Sequence, residues 1–207
     1  MTAVIQAELP FDRSQNEISI SQGFDGPYSH NHFSIRTVDY DLRYALDFVL
    51  PLGTQILAAR KGIVRYIFNG RGYYEGSDPI EGRKVVAASA VLAHTDITGF
   101  PATVYSMYQH FDPESLQVGV GQTVESGQPL AKTGRSGWIG ENPHLHLHFQ
   151  YHANRPGKGP IVSTIPFVLN GYKGELDDTK NMQNLVGDSR EFARKILAIR
   201  KRDGFTY

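Results

Sequence analysis

The run Pro143-His144-Leu145-His146-Leu147-His148-Phe149 decides the fold class. Histidine and apolar residues alternate with period two, the pattern of a strand. The alternation predicts His144, His146 and His148 on one face and Leu145, Leu147 and Phe149 on the other. Working outward, apolar or alternating runs recur between Gly, Pro and Asp punctuation. They predict strands over Arg43–Leu50, Gln55–Ala59, Gly62–Phe68, Lys84–His94, Thr103–His110, Pro129–Thr133, His144–Tyr151 and Thr164–Leu169. Many short strands with turn signals between them are the signature of a mainly β chain. The Gly- and Tyr-rich stretch Asn69–Arg83 reads as a long surface loop and Ala153–Pro160 as a shorter one. Val118–Leu130 is a compact, turn-rich stretch. One helix is predicted near the end, over Ser189–Arg202, with Phe192, Ile196 and Ile199 on one stripe. Asp188 or Ser189 caps it, and Gly204 follows.

The chain has 207 residues, with 21 Lys+Arg balanced by 21 Asp+Glu, 8 His and no Cys. That length fits one domain with a core able to bury over half of its unfolded surface. Absence of cysteine excludes disulfides, Cys-based zinc fingers, iron–sulfur clusters and thiol catalysis. Balanced charge argues against a general nucleic-acid or anionic-membrane binder. Any transition metal must be held by His and carboxylate. The amino terminus shows no secretory signal, and no apolar run is long enough to span a membrane. HExxH, GxxxxGK[ST] and GxGxxG are all missing, and Gly134–Trp138 falls short of GxSxG because Trp138 stands where the last Gly belongs.

Three imidazoles in line on one strand face are poor core material and good metal-site material, the bland alternative being a solvated face. Asp47 sits amid apolar residues in a predicted buried strand. A buried carboxylate costs several kcal/mol unless it is paired, hydrogen-bonded or metal-bound. Its partner is either an arginine, Arg43 or Arg60, or a metal. Tyr28-Ser29-His30-Asn31-His32 and Tyr108-Gln109-His110-Phe111 are two further polar signals.

Taken in order, these pieces resemble the lysostaphin-type (LytM-like) zinc endopeptidases, peptidase family M twenty-three, also called the duplicated hybrid motif. The resemblance runs from about Gln22 to Tyr151. It comprises Gly23–His30, Tyr44-Ala45-Leu46-Asp47-Phe48, Pro51–Val64, Tyr108-Gln109-His110, Val120–Gln128, Gly134–Gly137 and Pro143-His144-Leu145-His146. It implies an antiparallel β-sheet or barrel-sandwich core with an open groove, to which the C-terminal helix is added. It implies one Zn²⁺ held by His30, Asp47 and His146, with His110 and His144 as catalytic histidines off the metal. It also implies the peptides of bacterial peptidoglycan as substrate, cross-link or stem, and hence an extracytoplasmic site of action.

Two positions stay open. His32 rivals His30, and alignment on Phe149 rather than Pro143 would select His146 and His148. On the Pro143 alignment His148 is a groove-lining neighbour. His94 reads as structural or as groove wall, and His152 as exposed. Tyr73, Tyr74 and Trp138 are expected as groove walls. Residues 1–21 read as an N-terminal extension, 22–170 as the peptidase-like β domain and 171–207 as a helical extension packed on it. With no wall-binding domain in view, targeting is expected from a delivery or tethering partner or from the groove itself. The competing readings are a non-catalytic member of the same fold, a zinc hydrolase acting on another peptide, and a lipoyl-like carrier modified at Lys132.

Overall fold

The structure, a computed structural model, describes residues 5–14, 19–24, 29–35, 37–76, 78–140 and 142–170. The predicted helix over 189–202 lies outside the described residues. Among the described residues strands are the main regular structure, joined by turns and irregular loops, and helix is limited to single turns at Pro79–Gly82 and Pro113–Ser115. A ten-stranded sheet dominates, accompanied by three two-stranded ones.

The organising element is the strand His144–Arg155. On one side it pairs antiparallel with Val104–Gln109, which continues the sheet through Ala88–His94, Gly62–Asn69 and Thr123–Val124. On its other side two strands share it. Ala45–Val49 takes the first half and Gly159–Ile165 takes the second. The sheet therefore forks. One branch ends in Ser19–Gln22; the other continues through Val38–Asp41 to His32–Ile35. Every pairing in this sheet is antiparallel except Gly159–Ile165 with Val38–Asp41. Near the amino terminus, Ile5–Ala7 pairs parallel with Phe167–Leu169, and Ile5, Ala7 and Ile20 join the core.

The expected alternation is realised. Leu145, Leu147 and Phe149 are completely buried in the core, together with Leu46, Phe48, Leu92 and Tyr108. Phe149 packs against Phe167 with ring centroids 5.0 Å apart. Truncating a leucine in so tight a site leaves a cavity. Leu147→Ala is expected to cost about 2–5 kcal/mol of stability, read by urea unfolding.

Two loops carry more order than the sequence suggested. The hairpin strands close over Ala153–Pro160, because His144–Arg155 runs to Arg155 and the return strand begins at Gly159. Within Asn69–Arg83, Tyr73–Tyr74 pairs with Gly137–Trp138 and Pro79–Gly82 forms one helical turn. Conversely, the strand predicted from Lys84 begins only at Ala88.

His94 is structural. Its Nδ1–H donates to the Lys61 carbonyl at 2.8 Å, and its Nε2 accepts from Ser106 Oγ at 2.9 Å. Tyr108 Oη lies next in this network and accepts the Ala59 N–H at 2.8 Å. Burial pushes the His94 imidazole from its ordinary 6.5 down to about 4. The unfolded chain therefore binds a proton at this residue between those values and the folded chain does not. This contribution to stability is complete above pH 6.5 and is lost as pH falls toward 4, amounting to about 3 kcal/mol. His94→Gln is expected to lose that part of the acid slope, measured by urea unfolding at pH 7 and pH 4.5.

Candidate metal and catalytic site

Strand register assembles the site. Asp47 stands directly opposite His146, with Gln22 opposite Asp47 on one flank and Gln109 opposite His146 on the other. Ser89 continues the row beyond Gln109. Directly opposed residues project to the same face. A polar row of five residues thus crosses the sheet on the side away from the core.

His30 reaches this row from the segment preceding the strand His32–Ile35. Its Nδ1–H donates to the Gly23 carbonyl at 2.7 Å, which leaves the Nε2 lone pair facing inward. Nε2 lies 3.2 Å from Asp47 Oδ1 and 3.3 Å from His146 Nδ1, and His146 Nδ1 lies 2.8 Å from Asp47 Oδ1. All three residues are buried. The three donor atoms form a compact triangle able to hold a metal ion. Ligands at ~2.0–2.1 Å around a tetrahedral ion stand about 3.3 Å apart, which the two His30 separations match. Two nitrogens and one oxygen suit a borderline divalent cation.

Burial by itself pushes the Asp47 carboxyl up, but the imidazoles of His30, His144 and His146 hold it well below the usual carboxylate range. It is an anion at neutral pH. Its other oxygen, Oδ2, accepts from Gln22 Nε2 at 2.9 Å, and Gln22 is itself held by Ser29. His146 is pushed down, by burial first, with Asp47 opposing that shift.

Behind His146 the same strand face continues. His146 Nε2 lies 2.8 Å from His148 Nδ1, His148 Nε2 lies 2.8 Å from Gln150 Oε1, and Gln150 Nε2 lies 3.0 Å from His152 Nε2. Because Gln150 Oε1 can only accept, His148 Nε2 carries the hydrogen and its Nδ1 accepts from His146 Nε2–H. His146 therefore keeps its Nδ1 lone pair for the triangle. Burial pushes His148 well below its ordinary range, so it is a neutral hydrogen-bonding group.

Two further imidazoles stand beside the triangle. His110 Nδ1–H donates to the Ser136 carbonyl at 2.8 Å, and His144 Nδ1–H to the Asn142 carbonyl at 3.0 Å. Each thus presents a bare Nε2; that of His144 lies 3.9 Å from Asp47 Oδ1. The two rings meet edge to face, with centroids 4.5 Å apart. Burial, reinforced by His144 and His146, pushes His110 well below its ordinary range. His110 has φ +71°, a left-handed conformation that costs a non-glycine residue about 1–3 kcal/mol and occurs where function fixes the backbone. Gly137, at φ +80°, makes room for it. A Cβ there would meet Ala87 Cβ at 2.5 Å and His110 Nδ1 at 3.1 Å.

All five expected site residues, His30, Asp47, His110, His144 and His146, therefore converge. His32 does not: it is exposed, on the strand next to Val38–Asp41. Neither arginine reaches Asp47. Arg43 pairs with Asp41 at 2.9 Å and Arg60 with Asp96 at 2.5 Å. The triangle and the bare nitrogens open onto a groove of about 820 Å³. Trp138 lines it as expected, anchored by its Nε1–H to the Gly76 carbonyl at 2.8 Å. Tyr73 and Tyr74 do not; Tyr73 borders a separate, smaller hollow, and the pair serves to fasten the loop to Gly137–Trp138. Phe33, Phe68, Val85 and Val86 supply the apolar wall in their place. Lys132 lies within a strand pairing with Gln55–Leu57, not at a hairpin tip where a carrier lysine belongs.

Sequence reasoning missed Gln22, Gln150 and Arg83. Gln150 was visible in principle, because it extends the period-two row His144-His146-His148 by one step. Gln22 and Arg83 had no local signal.

The family description "Peptidase family M23" matches residues 41–158, more than half of the chain, and the chain belongs to this family. Similar solved structures include a zinc-containing peptidase from Vibrio cholerae. It is 22% identical, over 68% of this chain and 35% of that one, with a TM-score of 0.43. The catalytic domain of a prophage-encoded M23 protein from Enterococcus faecalis is 17% identical, over 75% and 92%, with a TM-score of 0.44. The catalytic domain of lysostaphin from Staphylococcus simulans is 22% identical, over 69% and 86%, with a TM-score of 0.43. This chain thus spans about a third of the length of the Vibrio peptidase. No curated protein matches. No helix among the described residues is long and apolar enough to cross a membrane.

Proposed function

We propose that the protein is a zinc-dependent endopeptidase that hydrolyses peptide bonds of bacterial peptidoglycan outside the cytoplasm. The observation that carries this is the buried His30–Asp47–His146 triangle, two of whose three edges match tetrahedral ligand spacing, at an open groove, with two bare imidazole nitrogens beside it. His30 and His146 ligate through nitrogen and Asp47 through oxygen. When bound, the metal supplies Lewis-acid stabilisation of the carbonyl oxygen and acidifies the attacking water.

The remaining work falls to the chain. Asp47 stays anionic and offsets the ion's charge. Gln22 fixes its orientation, and His148 fixes the tautomer of His146. His110, which burial holds neutral, and His144, both with Nε2 facing the groove, accept the proton of the attacking water and return one to the leaving amine. No carboxylate base is required, in keeping with the missing HExxH glutamate. The groove holds the substrate peptide across these groups.

Outer-shell partners of a metal-bound histidine tune affinity by about 10–100-fold. His148→Phe is therefore expected to weaken zinc by about that factor, measured by competition with a chromophoric chelator. His148→Gln, which can both accept from His146 and donate onward, restores most of it.

The test of function is mass spectrometry of purified peptidoglycan incubated with the zinc-loaded protein. New peptide ends released only by the metal-loaded form are expected. A zinc-loaded protein that binds the polymer and releases nothing would make it a non-catalytic member of the family.

A further inference from the structure

The groove is poor in charge. Of its lining residues, Glu75 is neutralised by Arg135, whose Nη1 lies 2.7 Å from its carboxylate, and Asp47 belongs to the metal triangle. Among the described residues one permanent cation lines the groove, Arg83, on the short stretch between the helical turn Pro79–Gly82 and the strand Ala88–His94.

Arg83 is positioned but not neutralised. Its guanidinium carbon sits 3.9 Å from the centroid of the Phe33 ring, a stacking contact that fixes the plane of the fork. One amino group donates to Asn31 Oδ1 at 3.3 Å. Among the described residues no carboxylate pairs with it, and its buried Nε–H has no acceptor. Partial burial pushes the group down, a mark of water already removed from it. A flat, oriented, partly desolvated guanidinium without a counter-ion is the arrangement that receives a carboxylate through two parallel hydrogen bonds. Lysine or a solvated arginine would not be held in this way.

We propose that Arg83 is a specificity-determining residue that binds a free carboxylate of the substrate, so that the preferred substrate is a carboxylate-bearing stem peptide and not an uncharged glycine bridge. This deepens the reading of the groove as a peptidoglycan-peptide site and rests on it. Arg83 makes no contact with the triangle, so its role lies in binding and selection.

The test pairs two ligands with three proteins. The ligands are a synthetic stem peptide carrying a free side-branch carboxylate and the same peptide with that group as carboxamide. The proteins are the zinc-loaded His144→Ala variant, in which turnover is suppressed, and the same background with Arg83→Gln or Arg83→Lys. Equilibrium binding is read by calorimetry. In the Arg83 background the acid is expected to bind about 10–100-fold more tightly than the amide. Arg83→Gln brings that ratio to near one, and Arg83→Lys leaves an intermediate value. Thermal melting of each variant separates lost binding from lost folding. An acid-to-amide ratio near one with Arg83 present, a ratio unchanged by Arg83→Gln, or no binding of either peptide overturns the proposal. Hydrolysis of peptidoglycan by the wild type is scored separately, so a failure of the peptidase reading is told apart from a failure of this one.

Discussion

His146→Ala is expected to lose stoichiometric zinc and, with it, essentially all hydrolysis of peptidoglycan. Its Nδ1 lies 2.8 Å from Asp47 Oδ1 and 3.3 Å from His30 Nε2, so its loss opens one corner of a three-donor set. Structural zinc sites bind with about 10–16 kcal/mol shared over four ligands, so one ligand carries about 3 kcal/mol or more, or at least ~10²-fold in affinity. Removing it also leaves the anionic, buried Asp47 with His30 and Gln22 as close partners and His144 at 3.9 Å. Zinc content after dialysis, measured by inductively coupled plasma mass spectrometry, checks the first claim, and the muropeptide digest checks the second. A His146→Ala protein that retains one zinc and full activity sinks the ligand assignment.

His144→Ala and His110→Ala are expected to separate metal from chemistry. Both rings show a bare Nε2 to the groove while their Nδ1 hydrogens are spent on the Asn142 and Ser136 carbonyls. Proton transfer by a positioned imidazole is worth about 10²–10⁴ in rate, so kcat is expected to fall by that factor with zinc content unchanged. The rings touch at 4.5 Å between centroids. Because they act as a unit, the double variant is expected to be little worse than the weaker single one. If either single variant loses zinc along with activity, that residue is a ligand and not a proton carrier.

Much of this site is legible in the sequence because it is written in strand alternation. His144, His146 and His148 had to share a face, and Leu145, Leu147 and Phe149 had to fill the other. The odd carboxylate, Asp47, advertises itself by sitting among Ala45, Leu46, Phe48 and Val49. What alternation cannot encode is which strands become neighbours. The row Gln22–Asp47–His146–Gln109–Ser89 draws its members from five separate strands, so Gln22 looks like any polar strand residue. His30 and His32 are two apart and could not be separated by pattern. The hydrogen bond from His30 Nδ1 to the Gly23 carbonyl, a tertiary contact, aims one of them inward. The groove wall was misread for a similar reason. Exposed aromatics in a Gly-rich loop look like ligand contacts, but Tyr73 and Tyr74 are consumed in a short parallel pairing, and less conspicuous Phe33 and Arg83 take the wall.

The forked sheet has a consequence for how the chain reaches its working form. The contacts that define the triangle join residues 99 and 116 positions apart in sequence. Contacts of such separation close late and slowly, because the intervening chain must lose its freedom first. A slip of one residue between Ala45–Val49 and His144–Arg155 would turn Asp47 toward the core and bring Phe48 or Leu46 to the triangle. Only a chain that has paired its central strands in the right register can capture the ion. During refolding, zinc uptake is therefore expected to trail the recovery of β-sheet circular dichroism, and the metal serves as a proofreader of strand pairing.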